Sequence, residues 1–187
     1  MLKAKKKIAD KHDEILRVLD ETGTWTGKYK NRSYFHEHNL YYATVAVWII
    51  KKNDRTILLE HRHPSKIKNP NRWCLPGGHV SGDETPSLAA MNEAKEEVGL
   101  TIPLKKLKFL CLTPPQEDKY SFTHHFYYIY DKIYPGFKIQ KEEVTEIKWM
   151  KYEAWKNLVK ENSKTVSPKW EKYKNAFTVM DEVIEAL

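Results

Sequence analysis

The sequence is poor in cysteine and in long apolar runs, and each shortage excludes something. Two cysteines, Cys74 and Cys111, occur in 187 residues, and no CxxC pair is formed. They read as free thiols of a reducing compartment, not as a disulfide framework. No apolar run is long enough to cross a membrane. The opening stretch MLKAKKKIADKHDE is basic but has no apolar segment of the secretory kind. Internal repeats, low-complexity tracts and linkers are also missing. The expectation is a single cytoplasmic domain over residues 1–187, its core at about 13–160, with no membrane partner.

What is present is an ordinary globular mixture, 41% hydrophobic and 30% charged. The net charge is +7, which favours anionic ligands, either phosphates or nucleic acid. The lysines are spread along the chain, so the charge also suits plain solubility.

Residues 1–9 read as a frayed tail or a short helix. Glu14–Leu19, the turn Asp20-Glu21-Thr22-Gly23 and Trp25–Tyr29 read as a β-hairpin, although Ile15, Leu16, Val18 and Leu19 also fit a helix stripe. Tyr41–Ile50 is β-branched and aromatic on both faces, the mark of a central strand. Further strands are expected at Thr56–Glu60, Leu107–Leu112, Phe122–Tyr130 and up to Met150. Helices are expected at Glu153–Lys160 and at 168–187, the second capped by Ser167 and opened by Pro168. Strands interrupted by one central helix, with helices at the end, define a mixed α/β sandwich.

That central helix carries the chemistry. Thr85 fits an N-cap, Pro86 the first helical position and Gly99 the residue just past the end. Ala90, Met91, Ala94 and Val98 gather on one side. Glu93, Glu96 and Glu97 share another, at spacings i, i+3 and i+4, where like charges repel. No Lys or Arg stands three or four residues from any of them. A solvated acidic face is the plain explanation. The glycine turn Gly77, Gly78, Gly82 just before the helix favours a different one, because it lets backbone approach a ligand. Clustered hard oxygens beside such a turn suit a divalent cation.

From Gly78 the pattern runs Gly, five residues, Glu84, seven residues, then NEAKEEVGL over Asn92 to Leu100. This resembles the Nudix box, and departs from it only at Asn92, where the family has Arg, if Ala94 is taken as the aliphatic position. The family's Arg pairs with carboxylates, whereas Asn hydrogen-bonds without charge. The flanking DEILRVLDETGTWTGK, ATVAVWII and ILLEHRHPSK are similar to the branch related to isopentenyl-diphosphate isomerase.

The resemblance implies a three-layer α/β/α sandwich around a mixed sheet. It implies that Glu93, Glu96 and Glu97, with the Gly77 carbonyl, bind Mg²⁺ or Mn²⁺. Gly78, Glu84 and Gly99 would be structural, Glu84 bracing the loop onto the helix. The implied activity is hydrolysis of a phosphoanhydride bond in a nucleoside diphosphate derivative or related diphosphate, by metal-assisted attack of water on phosphorus.

An additional base or ligand from outside the box is sought among Glu117, Glu142, Glu143 and Glu146, with Glu143 preferred. Arg62, Lys66, Lys68 and Arg72 are phosphate-binding candidates, or simply a basic loop. His124 and His125 point to opposite faces of one strand, as core or surface residues sooner than ligands. Trp25, Tyr29 and Tyr42 can stack a base but at strand spacing are usually core. The alternatives are an isomerase, whose cysteine would fall at Gly77, not at Cys74, and a non-catalytic nucleotide- or RNA-binding module. A homodimer is compatible with the sequence.

Overall fold

The structure, a computed structural model, describes residues 14–116, 120–131 and 137–187. The expected N-terminal tail and the candidate Glu117 lie outside the described residues. The elements run β1 (Ile15–Leu19), β2 (Trp25–Asn31), α1 (Arg32–His38), β3 (Tyr42–Lys51), β4 (Thr56–Arg62), β5 (Trp73–Cys74), α2 (Pro86–Val98), β6 (Lys108–Thr113), β7 (Ser121–Tyr130), β8 (Val144–Lys151), α3 (Tyr152–Lys160) and α4 (Trp170–Glu185).

β1 and β2 form the expected N-terminal hairpin. The main sheet runs β5-β4-β3-β7-β6, with β8 also paired to β4. β3 is central and parallel to β7, while the other pairings are antiparallel, so the sheet is mixed.

Alternation along β3 builds the layers. Val45, Val47 and Ile49 face α2, packing with Ala90, Ala94 and Val98. Ala46, Trp48 and Ile50 face α3 and α4, packing with Trp155, Phe177 and Met180. Side chains of one strand alternate between faces, so a run apolar throughout must be covered on both sides. The expected α/β/α sandwich results.

Two local readings need correction. α4 begins at Trp170, and Ser167 does not cap it. Val166 instead bridges Trp73, and the Ser167 N–H donates to the Trp73 carbonyl at 2.8 Å, which keeps this stretch extended beside β5. α1 was not foreseen. It ends at Asn39 in the left-handed conformation (φ 54°) and buries Phe35 against Leu16, Val18 and Tyr42. Of the three aromatics weighed as core, only Tyr42 is buried; Trp25 and Tyr29 are exposed on the hairpin. No helix among the described residues is long and apolar enough to cross a membrane.

Candidate active site

The site begins where β3 and β4 separate. Their ladder is short, Ile50 opposite Ile57 and Lys51 opposite Thr56. Beyond it the segment 73–80 enters the gap. It pairs with β4 through Trp73 and Cys74, then with β3 as Val47 N–H donates to the Pro76 carbonyl and Val45 N–H to the Gly78 carbonyl, each at 2.9 Å. Gly77, between those two, turns its N–H the other way and donates to Glu97 Oε2 at 2.8 Å. Gly77 is required by its backbone neighbour, and Gly78 lets the Glu93 carboxylate lie against the turn. A Cβ at Gly77 would overlap the Val45 carbonyl, and one at Gly78 would overlap the Glu93 carboxylate.

α2 projects over this turn. Thr85 Oγ1 accepts from the Leu88 N–H at 3.3 Å, and Pro86 opens the helix. At the other end Gly99 (φ 74°) and Leu100 donate back to the Lys95 and Ala94 carbonyls. Glu84 joins helix to loop: its Oε1 accepts from Asn92 Nδ2 at 2.7 Å and its Oε2 from the Ser81 N–H at 3.3 Å. Asn92 thus serves as a neutral donor to Glu84.

A cleft of about 80 Å³ opens beside the turn. Its acidic wall holds Glu93, Glu97 and Glu143 around Gly77 and Gly78. Glu97 is 3% exposed, and behind it lies Glu60 of β4, 1% exposed. The Cys74 thiol donates to Glu60 Oε1 at 3.4 Å. Among the described residues no donor group reaches Glu60 Oε2, and the Glu97 carboxylate faces Glu60, so a contact between them needs a shared proton or a cation.

Burial raises the Glu60 carboxyl to about 7, with Glu93 nearby adding repulsion. Burial also pushes Glu97 well above the usual carboxylate range, reinforced by the charges of Glu60 and Glu143. Glu93 is displaced the same way, by burial first and then by Glu97, Glu143, Glu14 and Glu96.

The cations in the cleft are Arg32, Arg62 and Lys66. Lys66, 7% exposed, pairs with Glu143 Oε2 at 2.9 Å. Arg62 Nε donates to the Lys68 carbonyl at 3.1 Å, and Cys74, Glu60 and Glu97 stand close enough to support its charge against the cost of burial. Elsewhere in the lining Arg32 Nη1 meets Glu14 Oε2 at 3.4 Å, with His79 Nδ1 3.5 Å from the same oxygen.

Not every expected residue lines the cleft. Glu96 is exposed, because one residue along a helix rotates the side chain about a quarter turn away from Glu97. Lys68 is exposed and reaches the site through its carbonyl, and Arg72 lies on the loop strand beside Arg62, so neither lines the cleft wall. Glu142 and Glu146 are exposed, whereas Glu143 is turned inward on the Gln140–Val144 turn.

Glu60, Glu14, Arg32 and His79 were not anticipated. A glutamate in the apolar strand TILLE, in register with the core-facing Leu58, was the available signal for Glu60. Glu14 and Arg32 offered none. They meet because the hairpin register sets Ile15 opposite Asn31.

The donor set fits a hard divalent cation: several enclosed carboxylate oxygens, partly unsatisfied and mutually repelling, beside a backbone turn. Among the described residues no group of three or more His, Cys, Asp or Glu side chains is placed, as it stands, to hold a metal ion, so the carboxylates would have to draw together around one.

Comparison with known proteins agrees with this geometry. The family model described as the NUDIX domain matches residues 40–170. The chain belongs to the Nudix family. Nudix hydrolase 3 of Arabidopsis thaliana is 28% identical over 166 residues, covering 83% of this chain and 22% of that protein. A prenyl-diphosphate phosphatase of Methanosarcina mazei is 26% identical over 130 residues, covering 64% of this chain and 70% of that protein. This chain therefore spans only about a fifth of the plant relative's length. Among solved structures, DR0079 of Deinococcus radiodurans shares the fold, with a TM-score of 0.70, 19% identity, and coverage of 90% of this chain and 98% of that one.

Proposed function

We propose that this Nudix domain is a divalent-metal-dependent hydrolase of phosphoanhydride bonds, acting on a nucleoside diphosphate derivative or a related organic diphosphate. The observation that carries the reading is the enclosed group Glu60, Glu93 and Glu97 beside the Gly77–Gly78 turn, whose raised carboxyls call for a cation. The Methanosarcina relative, named for a prenyl diphosphate, supports including organic diphosphates.

Glu93 and Glu97, with the Gly77 carbonyl, would hold Mg²⁺ or Mn²⁺, and Glu96 would join from the rim. The bound cation supplies charge neutralisation at the diphosphate and a more acidic water. Gly77 N–H holds Glu97 in one orientation from behind. Glu143 is the residue we assign to accept the proton of the attacking water, because it lines the cleft and Lys66, 2.9 Å from its Oε2, holds it in place. Arg62 and Lys66 would draw the phosphoryl oxygens toward that end.

Cys74 weighs against isomerase chemistry. Burial and the Glu60 charge raise its thiol well above the ordinary value, so it is no ready nucleophile. Both cysteines are free thiols, in keeping with work in a reducing cytoplasm.

The test is phosphate release from a panel of diphosphates with Mg²⁺ or Mn²⁺, comparing wild type with Glu97→Gln. Turnover that depends on Glu97 is expected. Equal turnover in both proteins overturns the site assignment, and ligand binding with no turnover under either metal replaces the hydrolase with a binding module.

A further inference from the structure

The β1–β2 hairpin has one covered strand and one bare strand. Leu16 and Val18 of β1 are buried with Phe35 and Tyr42, whereas every residue of β2 from Trp25 to Asn31 is exposed. Among the described strands β2 pairs with β1 alone. Three large aromatic residues nevertheless stay exposed on this strand and the helix that follows it: Trp25 at 45%, Tyr29 at 37% and Tyr34 at 36%. Rings gathered on a bare ribbon, with no core beneath them to explain their choice, mark a contact surface.

The same stretch is basic. Between Glu21 and Glu37 the chain carries Lys28, Lys30 and Arg32 and no carboxylate. Two nearby carboxylates are engaged by other groups. Asp83 accepts from Arg17 Nη2 at 3.1 Å and from the Tyr29 hydroxyl, and Asp20 accepts from the Thr22 and Thr24 N–H groups inside the hairpin turn. Cations and rings are interleaved in space as well as in sequence. The Arg17 guanidinium lies 5.0 Å from the centre of the Trp25 ring, Trp25 meets Tyr29 edge to face at 5.5 Å, and the Lys30 ammonium lies 4.9 Å from the centre of the Tyr34 ring.

The ribbon has a fixed place beside the cleft. Gly82 N–H donates to the Ile15 carbonyl at 2.8 Å, Leu16 bridges Ser81, and Asp83 joins Arg17 and Tyr29 to the same loop. β2 also runs directly into Arg32, a cleft-lining residue three positions beyond Tyr29, or about 10 Å of extended chain.

We infer that Arg17, Trp25, Lys28, Tyr29, Lys30 and Tyr34 form a binding surface for single-stranded nucleic acid, with bases stacked on the exposed rings and phosphates held by the cations. Stacking on a side chain needs a base whose face is open, which a duplex does not offer, and the lysines supply the sequence-independent attraction to phosphate. An acidic peptide would use the charge and leave the rings idle. The surface lies outside the carboxylate site, so binding tests the ribbon and turnover tests the cleft.

Fluorescence anisotropy on the full chain, with chelator present to prevent metal-dependent cleavage, compares labelled strands of about 12 nucleotides, within the site sizes of such surfaces. The probes are a thymidine strand, a uridine ribonucleotide strand, an abasic strand of equal length, and the thymidine strand in a duplex. Wild type is expected to bind the better of the two base-bearing strands about tenfold or more tighter than the abasic strand, the scale of one or two stacked bases, and tighter than the duplex. The ranking of thymidine against uridine tells DNA from RNA. Trp25→Ala and Tyr29→Ala each weaken the base-bearing strand about fivefold or more and spare the abasic one, while Tyr29→Phe retains binding. Lys28→Gln combined with Lys30→Gln weakens every strand and lowers the slope of log Kd against log salt by about 1.4, for two phosphate contacts. Lys52→Gln, on the exposed β3–β4 turn, changes nothing. Circular dichroism melts show whether the ring variants fold, and the double lysine variant alters exposed side chains only.

Equal affinity for base-bearing and abasic strands, a duplex bound as tightly as a single strand, or binding that ignores the two lysines overturns the surface. So does a wild type that binds no strand at low salt. Ring-dependent binding without hydrolysis of any diphosphate leaves the surface standing and fails the hydrolase reading. Turnover that depends on Glu97 without strand binding does the reverse.

Discussion

Two clusters of buried polar groups lie on opposite faces of the sheet, and they are built on opposite terms. On the α4 face, His125 of β7 is fully enclosed. Trp48 Nε1 donates to its Nδ1 at 3.2 Å, which leaves the proton on Nε2, 3.0 Å from Thr113 Oγ1. Burial, with Lys172 and His124 adding repulsion, lowers its pKa to about 3, so it is neutral and satisfied. On the α2 face, Glu60, Glu93 and Glu97 are carboxyl groups forced together, each raised above the ordinary range by burial and by its acidic neighbours, with Glu60 Oε2 left without a donor among the described residues. The first cluster specifies packing. The second stores repulsion that a ligand can relieve, which is how perturbed groups in a cleft differ from perturbed groups in a core.

The sharpest way to break this contrast is to neutralise one member of each cluster. Glu97→Gln is expected to lower turnover by roughly 10²–10⁴-fold, measured as phosphate release, while the melting temperature holds or rises because a repulsion is removed. A large loss of stability would make Glu97 a structural residue like His125.

His125 makes the opposite prediction, for stability against pH. The unfolded chain binds a proton on His125 below its ordinary value of 6.5, and the native state does so only near 3. The contribution is complete above pH 6.5 and is lost as pH falls toward 3, at about 1.4 kcal/mol per pH unit inside that window. Denaturant unfolding at pH 7 and pH 4.5 should show His125→Gln losing less stability than wild type across that interval. An equal loss in both would mean that the imidazole is not held neutral.

Divalent cations should act on the second cluster alone. Saturating Mg²⁺ or Mn²⁺ at about a hundredfold over its dissociation constant is expected to stabilise the native state by about 2.7 kcal/mol. For a domain of this length that raises the Tm by roughly 2–4 °C per kcal/mol, reversibly with chelator. The shift should vanish in Glu93→Gln and persist in His125→Gln.

The smallest effect is expected at Asn92. Its amide already holds Glu84 at 2.7 Å, so Asn92→Arg should change turnover only a few-fold, on the scale of exchanging a neutral for a charged hydrogen bond at a partly exposed site. A gain of tenfold or more would show that the neutral link leaves the loop too loose.

Local patterns determined a great deal from the sequence alone. The cap, proline and glycine around α2 set its limits, because those residues act through their own backbone conformations. The two-sided apolar run of β3 announced a covered central strand, since alternation is a property of the extended chain itself. The spacing of Glu93, Glu96 and Glu97 marked the acidic wall for the same reason. Other features were decided only by tertiary structure. Ser167 fits a helix cap by its neighbours, yet pairing with Trp73 keeps it extended. Glu60 meets Glu97 because β4 and α2 pack, and Glu14 meets Arg32 because a hairpin closes. Glu96 is left at the rim by the same helix that turns Glu97 inward. Contacts between segments distant in sequence leave no local period to read, and a cleft consists of such contacts.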